Sequence, residues 1–307
     1  MALLRRPRFQ RSPAALPFQL TARDAEIVQR VFEHRFLSSV QVAQLVPGSR
    51  QQTLRRLQAL YHHGYLDRPR CQIDHFHQLG TRPMVYGLGN SGARILDHTN
   101  DSRLHRSRWA SRNTAAKRMF LDHTLQVADV LIAFELASRQ NGDVTFVPTG
   151  QLSLTNASPD SSPARWNVSF AGQEITVIPD AVFALDVARD VGRCERIYYF
   201  LEADRGTMPV IRKKLNQTSL LRKLLAYEAT WSQGVHRTLL GVERFRVLTV
   251  ATNRARVEHL RSACSRLQRG HGLFLFTDLA ALHRSDDLFS LSWSTAKSSA
   301  QTSTLLA

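Results

Sequence analysis

The sequence predicts an α+β or α/β protein in two parts: a small helical domain closed by a β-hairpin, then a larger domain built on a mixed sheet. Three observations predict it. The 307 residues are 43% hydrophobic, enough for two ordinary cores. Apolar residues recur at helical spacing in the first third, whereas β-branched and aromatic runs alternate with helical patterns further on. The formal charge of +16 is uneven: residues 1–118 hold 20 Lys and Arg against 7 Asp and Glu, and residues 119–307 hold 21 against 18. A basic block on one domain is the electrostatic footprint of a polyanion partner, most often nucleic acid.

Residues 1–19 are rich in Arg and Pro and read as a disordered basic arm. The first helix starts after Thr21, a good N-cap followed by an acidic first turn with Asp24 and Glu26. Ile27, Val28, Val31, Phe32 and Phe36 form its apolar stripe. The second helix runs from Ser39 to Val46 and stops at Pro47-Gly48. The third runs from Ser49 to His63. Leu54, Leu57, Leu60 and Tyr61 face inward, and Arg50, Gln51, Gln52, Thr53, Arg55 and Arg56 lie at its start or face out. A hairpin follows, with strands over 65–73 and 84–88 and with Arg68, Arg70 and Arg82 along it.

Three helices with a tight turn between the last two, then a hairpin, is the winged helix-turn-helix order. It covers residues 20–97. Such a third helix enters the major groove, where Arg pairs with guanine and Gln with adenine. Double-stranded DNA is therefore the expected partner. The expected contacts are Arg50, Gln51, Gln52, Thr53, Arg55 and Arg56 from the helix and Arg68, Arg70 and Arg82 from the hairpin, some of them to phosphate only.

Two motifs in this region are set aside. Gly87-Leu88-Gly89-Asn90-Ser91-Gly92 matches a dinucleotide fingerprint, but no βαβ unit or acidic residue on a second strand follows. Cys71, His75 and His77 fall short of a zinc ligand set. Residues 98–118, with Arg103, Arg106, Arg108 and Arg112, read as a basic linker. Three scattered cysteines suggest no disulfide framework and point to the cytoplasm. No signal peptide and no membrane span are expected.

The larger domain, residues 119–292, opens with a long helix over 120–140. Strands are expected over 144–154, 166–170, 175–185 and 197–207, then a helix over 209–231, a strand over 245–251, a helix over 254–269 and a strand over 273–277. Residues 293–307 read as a disordered tail. Asp180, Glu202 and Asp204 lie on the two central strands. Glu202 and Asp204 are two apart and share a face. As strand neighbours, the three carboxylates converge, and convergence raises their pKa values unless a cation neutralises them. Mg²⁺ suits such a set. The plainer reading of the same residues is solvated strand ends and turn chemistry at Pro179-Asp180.

The wording Pro179-Asp180-Ala181-x-Phe183, then Phe200-Leu201-Glu202-x-Asp204-Arg205-Gly206-Thr207, resembles the replication-relaxation family of bacterial plasmids and mobile elements. Asp180 with Glu202 also resembles the PD-(D/E)XK nuclease pattern. The resemblance implies a winged helix-turn-helix followed by a restriction-endonuclease-like αβββαβ domain with a mixed sheet. It implies Asp180 and Glu202 as Mg²⁺ ligands, with Asp204 assisting. The sequence departs from the nuclease pattern where Asp204 stands in place of lysine. A Lys followed four residues on by Tyr resembles a pairing recurrent in that family, so the resemblance implies Lys223, on one helix face with Tyr227, as the replacement, ahead of Lys213 and Lys214; the plainer reading of Lys223 is a solvated helix lysine. The catalytic set is then Asp180, Glu202, Asp204 and Lys223. Glu135, on the first helix of the domain, is a further acidic candidate, with a surface charge as its plainer reading.

The leading reading is a DNA-binding protein of a plasmid or mobile element, with a metal-dependent phosphodiesterase domain. The alternative is a non-enzymatic winged-helix regulator whose C-terminal domain is an inactive nuclease fold used for homodimerisation or partner binding. A third reading is an accessory factor in conjugative transfer or recombination. Only the first needs a divalent ion at the carboxylates.

Overall fold

The structure is a computed structural model that describes residues 7–13, 17–73, 82–96, 108–154, 164–189, 192–212, 217–296 and 302–306. The chain divides into two compact units, residues 1–132 and 133–307.

In the first unit, helix α1 (Ala22–Glu33) begins with a full capping box: Thr21 accepts from the Asp24 amide, and Asp24 accepts from the Thr21 amide. Strand β1 (Phe36–Ser38) leads into α2 (Ser39–Leu45), where Ser38 and Gln41 form a second capping box. Helix α3 (Arg50–His62) is capped by Ser49. Strands β2 (Leu66–Asp67) and β3 (Val85–Leu88) complete a three-stranded antiparallel sheet in the order β1-β3-β2. The hairpin strand expected over 65–73 is thus two residues long, because Pro69 interrupts it and residues Arg70–Gln72 form a 3₁₀ turn. His75 and His77 lie outside the described residues.

Helix α4 (Asn90–Leu96) explains the glycine motif. A Cβ at Gly89 would lie 2.2 Å from the Gly64 carbonyl oxygen, and one at Gly92 would lie 2.2 Å from that of Tyr65. The glycines let a helix press against a turn, a packing role rather than a phosphate cradle.

Two further expectations for this unit are corrected. The described part of residues 1–19 is a docked strap, not a free arm. The Ser12 amide donates to His62 Nδ1 at 3.0 Å, Arg11 donates to the Leu66 carbonyl at 3.0 Å, and Phe18 stacks on His63 at 4.8 Å. The basic linker over 98–118 contains helix α5 (Trp109–Ala115), which packs on the same core. Trp109 meets Phe32 edge-on at 6.0 Å, and buried Asn113 donates to the Leu88 carbonyl at 2.9 Å and accepts from Arg35 at 2.8 Å. Burial, then the charge of Arg112, brings the Arg35 pKa down to about 10. Arg103 and Arg106 lie outside the described residues.

Helix α6 (Arg118–Gln140) runs across the boundary between the units. The second unit holds a seven-stranded mixed sheet. Its strands are β4 (Val144–Pro148), β7 (Ala181–Ala188), β8 (Cys194–Asp204), β9 (Phe245–Ala251), β10 (Phe274–Asp278), β11 (Trp293–Ser294) and β12 (Thr302–Ser303). They lie in the order β12-β11-β10-β9-β8-β7-β4, and only the pairs β8–β9 and β9–β10 are parallel. A separate hairpin joins β5 (Trp166–Phe170) to β6 (Gln173–Val177). Helices α7 (Leu220–Ser232), α8 (Val235–Thr238), α9 (Arg254–Cys264) and α10 (Leu279–Arg284) complete the unit.

The alternating side chains of β7 and β8 face two layers. Phe183 and Tyr199 stack at 5.1 Å on the side where Phe134 of α6 meets Phe183 at 4.7 Å. Phe200 faces the other way and stacks on Tyr227 of α7 at 5.9 Å. This second layer also holds Leu224, Val257 and Leu260 from α7 and α9.

The sequence expectations for this unit need three corrections. The strand expected over 175–185 is broken at Ile178-Pro179-Asp180 into β6 and β7, which belong to different sheets; Pro179 has no amide for a ladder. The helix expected from Pro209 starts only at Leu220, and Lys213 and Lys214 lie outside the described residues. The tail expected over 293–307 supplies β11 and β12, and Trp293 is 0% exposed beside Phe134.

Candidate functional site

The nine expected DNA contacts divide by what they touch. Arg50, Gln51, Gln52 and Arg55 are exposed on the N-terminal half of α3, as are Arg70 and Arg82 near the hairpin. Thr53 and Arg56 are engaged within the fold. Buried Thr53 accepts from Arg23 at 2.7 Å. Arg56 donates through Nε to Asp24 at 2.7 Å and through its other arm to the second Asp24 oxygen, with Phe18 under its guanidinium at 4.4 Å. Asp24 is fully buried, so Arg56 neutralises a charge the core could not otherwise hold. Arg68 lies over the Tyr61 ring at 4.0 Å and donates to the Arg8 carbonyl at 2.6 Å. The open basic face is therefore narrower than the sequence suggests.

In the second unit the break before β7 builds the acidic site. The Asp180 amide donates to the Leu201 carbonyl at 2.9 Å, continuing the β7–β8 ladder by one bond. Beyond it β8 has no β7 partner, and the Asp180 carboxylate takes over by accepting from the Ala203 amide at 2.8 Å. Glu202, 4% exposed, points at α7. Lys223 Nζ donates to Glu202 Oε2 and stands 3.9 Å from Asp180 Oδ1, while the Tyr227 hydroxyl donates to Glu202 Oε1 at 2.6 Å. The helical spacing of Lys223 and Tyr227 delivers one donor to each oxygen of a single carboxylate.

Burial, then the charge of Asp180, pushes the Glu202 pKa up to about 7 despite both donors. Burial works against the Lys223 charge, but Glu202 and Asp180 outweigh it and hold its pKa above the usual lysine value. Burial and the nearby Glu202 raise Tyr227 well above a free phenol. Lys223 thus stays an ammonium, and the site gains or loses its proton at Glu202.

The convergence of three carboxylates expected from the strand pattern does not form. Asp204 is held by Arg256 of α9, whose Nε and Nη2 lie 2.5 and 3.2 Å from its two oxygens. Arg256 also donates to the Met208 carbonyl, and the Gly206 amide donates to Asp204 at 3.1 Å. Among the described residues no group of three or more His, Cys, Asp or Glu could hold a metal ion. Asp180 and Glu202 remain as two adjacent hard oxygen donors. Hard oxygen donors are the type Mg²⁺ takes, but here Lys223 and Tyr227 occupy both Glu202 oxygens and the Ala203 amide one Asp180 oxygen. Glu135 pairs with Arg139 on its own helix at 2.7 Å.

The sequence reading missed Arg256 as the partner of Asp204. The available signal was Asn253, the N-cap that sets Arg256 in the first turn of α9, directly after the parallel neighbour of β8.

The family model for replication-relaxation proteins matches residues 29–259, which includes every residue of the acidic site. The chain belongs to the replication-relaxation family. No curated protein and no solved structure matches it. The family match spans both the basic helices of the first unit and the Asp180–Glu202–Lys223 constellation of the second. Among the described residues no helix is long and apolar enough to cross a membrane.

Proposed function

We propose that the protein acts on DNA in the replication or relaxation of a plasmid or other mobile element. The first unit serves as a winged helix-turn-helix that grips duplex DNA through the exposed start of α3 and the hairpin arginines. The second serves as an endonuclease-like domain directed at a phosphodiester. One observation carries this reading: the Lys223 ammonium stands beside both Asp180 and Glu202, so a cation and two carboxylates meet at one spot.

Asp180 and Glu202 would hold Mg²⁺, which when bound supplies Lewis-acid polarisation of a phosphoryl oxygen. The chain's own groups do the rest. Lys223 presents a permanent positive charge to a phosphate or to an attacking water. Tyr227 fixes the Glu202 rotamer through its 2.6 Å hydrogen bond. Arg256 keeps the Asp204 charge compensated beside the site.

A second reading has its own support. Asp204 stands where a nuclease has lysine, and the Lys223 and Arg256 cations compensate the acidic groups internally. On that reading the domain is an inactive nuclease fold in a DNA-binding regulator. The experiment that separates the two is cleavage of supercoiled and linear plasmid with Mg²⁺ or Mn²⁺, beside an Asp180→Ala/Glu202→Ala control, with gel shift in parallel. Cleavage lost in the control supports the nuclease. Retained gel shift without cleavage replaces it with the regulator, and loss of both removes the DNA reading altogether.

A further inference from the structure

A pocket of about 160 Å³ opens beside the acidic site. Thr176 and Ile178 line one wall, Thr218, Ser219, Arg222 and Lys223 the other, and Glu202 is part of the lining. At about 30 Å³ per water it has room for about five waters, or for one tetrahedral oxyanion with its hydration.

Arg222 is the unusual member. Its Nε is buried without a hydrogen-bond partner. Among the described residues its guanidinium forms no ion pair either, although Glu202 lines the same pocket and is taken by Lys223 and Tyr227. A buried donor left unmatched is unfavourable, and here the unmatched donor belongs to a side chain that lines a pocket. The end of the helix is not the reason. The first four amides of α7 are already used: Leu220 and Leu221 donate to the Pro209 and Val210 carbonyls, and Arg222 and Lys223 to Ser219. What is left over is a planar guanidinium fork with Thr218 and Ser219 on its own wall of the pocket and Thr176 on the facing one.

From this pocket we infer that the second unit carries a phosphate subsite, formed by Arg222 with Thr176, Thr218 and Ser219. It takes a phosphate group next to the one addressed by Lys223. A guanidinium with hydroxyls around it suits a phosphate oxyanion, because the fork pairs with two oxygens and the hydroxyls with the others. The inference rests on the reading of the second unit as directed at phosphodiesters and deepens it. The phosphate comes from the DNA backbone or from a free or terminal phosphate.

The test is calorimetric titration of the full chain with inorganic phosphate and with a dithymidine monophosphate, a diester too short to span the basic face of α3. Saturable binding at millimolar concentration is expected. Arg222→Gln should weaken it at least tenfold and Arg222→Lys less, while Arg237→Gln on α8, an exposed arginine, should leave it unchanged. Tighter binding of the diester assigns the pocket to backbone phosphate, and the reverse order assigns it to terminal or free phosphate. No saturable binding by the wild-type chain, or equal binding by Arg222→Gln, overturns the inference. The result is independent of catalysis. If phosphate binding depends on Arg222 and plasmid is never cut, the subsite stands and the nuclease reading falls.

Discussion

The two units handle their charges in opposite ways. In the first, one arginine of α3 turns inward and its neighbour stays out: Arg56 is committed to buried Asp24, and Arg55 is exposed. In the second, the charges that matter are inside: Glu202, Asp204 and their cations lie between a sheet and the helices above it. A charge on a surface interacts weakly and is screened by salt, whereas a buried one requires a partner and shifts its pKa. The first unit thus leaves much of its positive charge on the surface, and the second pairs its central charges inside. Adjacent arginines in one helix can differ wholly in role, and only the partner they reach separates them.

The comparison can be tested from its strongest point downwards. Trp293→Ala should cost about 3–5 kcal/mol of stability in urea unfolding, because it empties a fully buried site in the core of the second unit. A surface-like effect would show that residues past Phe289 are not part of that core. Arg56→Ala should cost about 2–3 kcal/mol by leaving Asp24 buried and short of its partner. If instead it leaves stability alone and weakens DNA binding, Arg56 belongs to the open face.

Tyr227→Phe should cost about 1–2 kcal/mol, and its pH dependence is more informative than its size. Glu202 has a folded pKa of about 7 against 4.5 in the free side chain. A raised folded pKa gives stability that is complete below about pH 4.5 and is lost as pH rises through about 7. Removing the Tyr227 hydroxyl takes away a donor that favours the ionised form, so the loss should move to higher pH. Unfolding curves taken across this range, beside Glu202→Gln as the flat reference, check the sign. The smallest effect on the fold is expected at Arg55→Ala, which should leave stability within about 0.5 kcal/mol. It should lower the salt slope of DNA binding by about 1 in a gel-shift series if Arg55 meets a phosphate. An unchanged slope would remove it from the interface.

Local signals were legible in the sequence. Thr21 and Asp24 mark the start of α1, and β5 and β9 fall on their expected residues, 166–170 and 245–251. Such features depend on a few neighbouring residues, on caps and on apolar periodicity. The errors fall where distant residues decide. Pro179 reads as a turn inside one strand until the pairing of β6 with β5 separates it from β7. Trp109 and Asn113 sit in a stretch whose composition is that of a linker, and their partners are Phe32, Leu88 and Arg35. Trp293 opens a polar tail and becomes core only because β10 offers it an edge. At the candidate site, Asp180, Glu202 and Lys223 could be picked from sequence.

The sequence by itself determined the capped start of α1, the strands β5 and β9, the basic bias of the first third, and the meeting of the Asp180 and Glu202 segments. Only the tertiary structure decided which cation serves which carboxylate. Lys223 reaches Glu202 across 21 positions, and Arg256 reaches Asp204 across 52. The physical reason is that an ion pair is set by the order of strands in a sheet and by the helices that cross it. Spacing along the chain does not encode that order.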